Sequence, residues 1–200
     1  MNKSLLALAA LACCLAACQK SISWEEDTRA QQARLMGRYR FDSAVYNYYS
    51  VSTASIPPDN LRDSSVIRYT TQNNRGFMIL TDKDQIADSM MFDVDTKIIS
   101  YGFQNGLSLG ESEIDLVFSW GPVNDTFPYR LTPNNGFVTK TDLPTDSLGG
   151  PLRDIEMQWE MQGNRLIFTA PIVGGFTDSI MGVAVRVRTN GNMKQYFTKL

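Results

Sequence analysis

The chain has 200 residues and no histidine. That removes the commonest general base, the commonest metal ligand and the usual switch near neutral pH. What remains for chemistry is one serine in a glycine frame, two groups of carboxylates, a knot of tyrosines and three cysteines. Gly106-Leu107-Ser108-Leu109-Gly110 matches G-x-S-x-G, the nucleophile elbow of hydrolases. The elbow needs a strand turning sharply into a helix, and a histidine to activate the serine. Here the residues that follow alternate as a strand, and no S-x-x-K is present to supply a lysine base. Ser108 therefore reads as part of a glycine-rich hairpin loop, and the sequence predicts no catalytic residue.

Asp82, Asp84 and Asp88, followed by Asp93 and Asp95, resemble in composition the oxygen-rich loops that bind calcium. The glycine and terminal glutamate of an EF-hand are missing, and Lys83 sits among the acids. A solvated turn, with no metal, is expected. Glu111, Glu113 and Asp115 share one strand face. Paired carboxylates hydrolyse glycosides when about 5 to 9 Å apart. Acids alternating with Ile114, Leu116 and Phe118 read instead as the wet side of a strand. Tyr46, Tyr48 and Tyr49 are the dense aromatic cluster, close to Pro57-Pro58. Exposed, they would contact a sugar ring or a partner protein; buried, they would pack a barrel end. Trp120 and Trp159 alternate with apolar neighbours and read as core.

All three cysteines, Cys13, Cys14 and Cys18, lie near the N-terminus. Lys3 is followed by the apolar run Leu5 to Ala12, and then by Leu15-Ala16-Ala17-Cys18. The run is too short to cross ~30 Å of hydrocarbon as a helix. It has the charged start, apolar middle and small-residue end of a secretory signal peptide. L-A-A-C at that place resembles the lipobox of bacterial lipoproteins, in which the peptide is cut before a cysteine that is then lipidated. The resemblance implies a lipid anchor on Cys18, stable because such proteins carry more than one acyl chain. Gln19 is not the aspartate of an inner-membrane retention signal. The expected location is the outer membrane of a bacterial envelope, with either leaflet open.

The rest of the sequence must then be a domain that stands without disulfides, since Cys18 would be occupied by lipid. Removing residues 1–17 takes away only Lys3 among the charges, leaving 18 basic and 21 acidic residues. No basic stripe indicates nucleic acid. The expected organisation is a signal peptide over 1–17, a tether and short helix over 18–36, and a β-domain over 37–200. Ser23 and Glu26 have capping-box spacing, and Glu25 to Met36 contains no Pro or Gly before Gly37. That predicts a helix packed through Ala33, Leu35 and Met36.

From Gly37 onward the texture is β. Tyr39, Phe41, Ser43 and Val45 alternate with polar neighbours, and about ten short segments follow, separated by turn signals. Tyr46 to Asp63 and Thr141 to Pro151 read as long loops. Asn73-Asn74-Arg75, Asp95-Thr96, Pro133-Asn134-Asn135 and Gln162-Gly163-Asn164 read as turns. Asn190-Gly191 is the strongest hairpin signal. The fold class is all-β, an antiparallel meander barrel or a β-sandwich. The helix, then Gly37-Arg38-Tyr39, then a meander ending in a hairpin, resembles the lipocalin-like (calycin) domains of Bacteroidetes lipoproteins. Lipocalins have Gly-x-Trp at that point, where this chain has tyrosine. They also cover the ring with a late arginine, a role the resemblance gives to Arg186 or Arg188. It further implies a small apolar ligand held in the barrel; the lack of any acid–base or nucleophile set leads to the expectation of a non-enzymatic protein, with no cofactor. The other expectations are a structural or interaction subunit of an envelope assembly, and a carbohydrate-binding surface lipoprotein that uses the tyrosines.

Overall fold

The computed structural model describes residues 24–141, 153–180 and 183–200. One helix, α1 (Trp24–Leu35), precedes eight strands: β1 (Gly37–Ile56), β2 (Asp59–Leu80), β3 (Gln85–Gln104), β4 (Leu107–Thr132), β5 (Gly136–Thr141), β6 (Arg153–Gln162), β7 (Arg165–Ile180) and β8 (Val183–Lys199). Every strand pairs antiparallel with the next, and β8 returns to β1, so the meander closes as a barrel. Among the described residues no helix is long and apolar enough to cross a membrane.

Side chains along a strand alternate between faces, and cross-strand partners share a face. Tyr39 and Phe41 of β1, Met78 and Leu80 of β2, Tyr129 and Leu131 of β4, Phe137 of β5, Met157 and Trp159 of β6, Leu166 and Phe168 of β7 and Phe197 of β8 all point inward and are buried. Their rings form a connected series. Tyr129 stacks on Phe137 at 4.9 Å, Phe137 meets Phe168 at 4.8 Å, Phe168 meets Phe197 at 6.0 Å, and Phe41 lies 5.4 Å from both Phe197 and Phe92. This aromatic plug fills one end of the barrel.

Helix α1 caps that end. Leu35 is fully buried in the core. The Arg34 guanidinium lies 5.4 Å from the centre of the Trp159 ring, and Gln32 Nε2 donates to Asp84 Oδ1 at 2.9 Å. The sequence expectation was wrong in one detail: Ala33 is exposed, and Gln31 is the buried residue of that turn. Ser23, the expected cap, lies outside the described residues, as do the signal segment and Cys18.

Several expected breaks are not breaks. Tyr46 to Asp63 is no long loop: β1 runs on to Ile56, Pro57-Pro58 makes the turn, and β2 begins at Asp59. The prolines are confined to the turn itself, where no ladder hydrogen bond is needed. Asn73-Asn74-Arg75 is a bulge inside β2, with Asn73 at φ 50°. Asn74 Nδ2 donates to the Asp42 carbonyl at 2.8 Å, tying this bulge to an irregularity in β1. Asp95-Thr96 lies within β3, Asp95 outward and Thr96 buried. Asn190-Gly191 lies within β8, opposite Tyr48 and Tyr49. Ten short segments thus become eight strands. A residue tolerant of positive φ serves a bulge as readily as a turn, so local composition does not distinguish them. The turns at Pro133-Asn134-Asn135 and around Gly163 are as expected. Most of the expected loop Thr141 to Pro151 lies outside the described residues.

The outward face is charged. Arg68, Lys97 and Asp115 form one row across β2, β3 and β4, with Glu113 bonded to Lys97.

Candidate ligand-binding interior

Strand lengths decide the shape above the plug. β4 pairs with β5 only over Tyr129 to Thr132, and β7 pairs with β6 only over Arg165 to Thr169. Among the described residues, Leu107 to Pro128 of β4 and Ala170 to Ile180 of β7 therefore have a ladder partner on one side alone. The barrel is closed around the plug. Beyond it the six strands β7-β8-β1-β2-β3-β4 continue as a curved sheet.

Register places the inward residues of this extension in tiers. Nearest the plug stand Leu116, Thr96, Tyr69, Tyr46, Met193 and Ala170. The next tier holds Ile114, Ile98, Ile67, Tyr48, Gly191 and Ile172. Above it runs a row of hydroxyls, Ser112, Ser100, Ser65, Ser50 and Thr189. Ser65 Oγ lies 2.8 Å from Ser100 Oγ and donates to Asp63 Oδ1 at 2.6 Å. The interior is thus apolar below and polar above.

Among the described residues the apolar part is only half covered. Phe92 and Val94 of β3 belong to or touch the core, and their partners Trp120 and Phe118 share their face. Yet Trp120 is 40% exposed, Phe118 42%, Ile114 46% and Leu116 50%. Trp159 is core as expected; Trp120 is not, because β4 has no second neighbour there. Thr96 Oγ1 is buried at the lowest tier and has no hydrogen-bond partner among the described residues. A buried hydroxyl without a partner costs about 1 to 3 kcal/mol, so a bound polar group there would be stabilising.

The three tyrosines do not form one surface. Tyr46 and Tyr48 face the interior. Tyr46 packs on the core and accepts from Gln195 Nε2 at 3.2 Å, while Tyr48 and Tyr69 hydroxyls lie 2.8 Å apart. Tyr49 faces outward and is exposed. Its phenol is held below its ordinary pKa by hydrogen bonds from Ser64 and Arg62.

Tyr39, near the start of β1, is fully buried, and its hydroxyl donates to the Leu35 carbonyl at 2.6 Å. The cation over its ring is Lys199, 5.6 Å from the ring centre. Arg186 and Arg188 are not: they lie toward the opposite end of β8 and face outward. The sequence alone offered no way to see this, because Lys199 adjoins the ring only through the β1–β8 seam.

The remaining candidates are dispersed. Ser108 sits on β4 just past the Asn105-Gly106 turn, exposed, with its Oγ accepting from the Gly110 N–H at 3.2 Å. No helix follows it. Asp84 accepts from Gln32, and Asp93 accepts from Asn73 and Ser119, bonds that hold Asp93 below the usual carboxylate range. Among the described residues no three His, Cys, Asp or Glu side chains converge as a metal site. Glu111, Glu113 and Asp115 lie on the outward face, Glu113 against Lys97.

Geometry thus defines an all-β, eight-stranded antiparallel barrel, plugged at one end and open along β4. Comparison with protein-family models, curated proteins and solved structures finds no match for this chain.

Proposed function

We propose that this protein is a membrane-anchored lipoprotein of a bacterial envelope whose barrel carries a small amphipathic ligand, in the manner of a lipocalin. The observation that carries the reading is the inward stripe Ile114, Leu116, Phe118 and Trp120, half exposed on the face where the core lies. Covering a large apolar side chain contributes about 1.5 to 3 kcal/mol, so an apolar body lying on this stripe would be held well. The hydroxyl row above it suits an uncharged polar head. The anchor reading rests on Leu15-Ala16-Ala17-Cys18.

Two experiments test this. Native mass spectrometry of the protein purified from its own envelope should detect retained ligand, and a fluorescent fatty-acid probe should be taken up. Separately, metabolic labelling with a fatty-acid analogue should mark the wild type and not Cys18→Ser. Protein that is empty, excludes the probe and copurifies with a stoichiometric envelope partner would favour the interaction-subunit reading instead. The exposed tyrosines Tyr49 and Tyr101 on the outward face support that second reading.

A further inference from the structure

The outward face carries a different feature at the far end of the same six strands. Register places Thr177, Arg186, Thr53, Arg62 and Phe103 side by side across β7, β8, β1, β2 and β3. They line a cleft of about 670 Å³, together with Ser55 and Asn60. Adjacent strands lie about 4.8 Å apart, so the Arg186 and Arg62 backbones, separated by Thr53 alone, are about 10 Å apart. Two guanidiniums on side chains of that length can reach one anion held between them. Among the described residues no carboxylate lines the cleft and neither arginine makes an ion pair. Asp63, next to Arg62 in sequence, faces the interior and bonds to Ser65.

Two cations on one face, with no counter-charge among the described residues, repel one another weakly across this distance. An anion removes that cost and gains charge-assisted, fork-shaped hydrogen bonds. The Arg62 guanidinium lies 5.9 Å from the centre of the Phe103 ring, which helps to hold it in place. Arg188, one row nearer the plug on the same face, adds to the positive field. The lining also includes Thr53, Ser55 and Asn60, whose hydroxyls and amide suit a hydroxyl-rich ligand body, beside the apolar Ala54, Leu61 and Ala184.

We infer that this cleft is a second binding site, separate from the barrel interior, for a small hydroxyl-rich molecule bearing an oxyanion, such as an acidic sugar. The oxyanion can be a carboxylate, a sulfate or a phosphate, and the probes separate these. Isothermal titration calorimetry of the full-length protein in detergent with glucuronate, glucose 6-sulfate and glucose 6-phosphate should show saturable binding of at least one, weakened by added salt. Glucose should not bind. Arg62→Gln with Arg186→Gln should weaken binding at least tenfold, with uptake of a fluorescent fatty-acid probe by the interior unchanged. An unchanged melting temperature would show that the double variant remains folded. Should that variant unfold, Thr53→Glu, a negative charge placed between the two arginines, gives the same readout. No binding by any acidic sugar, equal binding of glucose, or undiminished binding by the folded variant would overturn the assignment. Loss of fatty-acid uptake alone would bear on the interior reading and not on this one.

Discussion

Tyr39 and Lys199, partners across the seam that closes the barrel, together cap the end of α1. The Tyr39 hydroxyl donates to the Leu35 carbonyl at 2.6 Å, and Lys199 Nζ donates to the Arg34 carbonyl at 3.0 Å while lying over the Tyr39 ring. The last carbonyls of a helix have no partner within it, and a cation there also complements the helix dipole. One pair thus joins the first strand, the last strand and the helix that seals the plug.

Removing the Tyr39 hydroxyl leaves a buried carbonyl unpaired. Tyr39→Phe should cost about 1 to 3 kcal/mol of stability. Lys199→Met should cost less, about 0.5 to 1 kcal/mol, the usual worth of an exposed cation over a ring. Urea denaturation of both single variants and the double variant closes the cycle. The two effects should not add, because both residues hold the same helix end. Strict additivity would show that the cap acts as two independent contacts.

Alkali should destabilise the protein through these phenols. Burial, aided by repulsion from Tyr129, raises Tyr39 to about 12. Burial also raises Tyr48, with its bond to Tyr69 adding to the rise. In the unfolded chain a tyrosine ionises near 10, so above that pH the unfolded state loses protons that the folded state keeps. The stability that the neutral Tyr39 phenol contributes is fully present below pH 10 and is lost as pH rises through about 12, and Tyr48 acts in the same direction. Denaturation midpoints at pH 8, 10 and 11 should fall in that order. The decline should be shallower in Tyr39→Phe.

Gly191 is held in β8 by lack of space. A Cβ there would run into the Tyr48 backbone and the Asn47 carbonyl. Gly191→Ala should therefore force β8 away from β1 and cost about 1 to 3 kcal/mol, the usual range for overpacking. Thermal melting gives the answer directly. A melting temperature equal to wild type would mean the two strands are further apart than their register implies.

The inward stripe of β4 is half exposed, so polar replacements there need not unfold the chain. Leu116→Gln with Phe118→Ser should leave the melting temperature within a few degrees of wild type. Uptake of a fluorescent fatty-acid probe should fall at least tenfold. Unchanged uptake would move the ligand away from β4.

The sequence by itself determined the alternation that makes this chain all-β, the helix before Gly37, the inward stripe from Ile114 to Trp120 and the lack of any histidine. These are local properties: a period of two puts apolar residues on one face whatever the strand later pairs with. It also placed Glu111, Glu113 and Asp115 on the opposite face, where the barrel keeps them. Strand number and length were not legible. Asn73-Asn74-Arg75, Asp95-Thr96 and Asn190-Gly191 have turn composition, yet neighbouring strands pair with the last two on both sides, and the first is a bulge between paired stretches of β2. Tertiary structure alone decided which cation covers Tyr39 and that Arg62 and Arg186 share one cleft. Each of these joins residues distant in the chain, and only closure of the sheet brings such residues together.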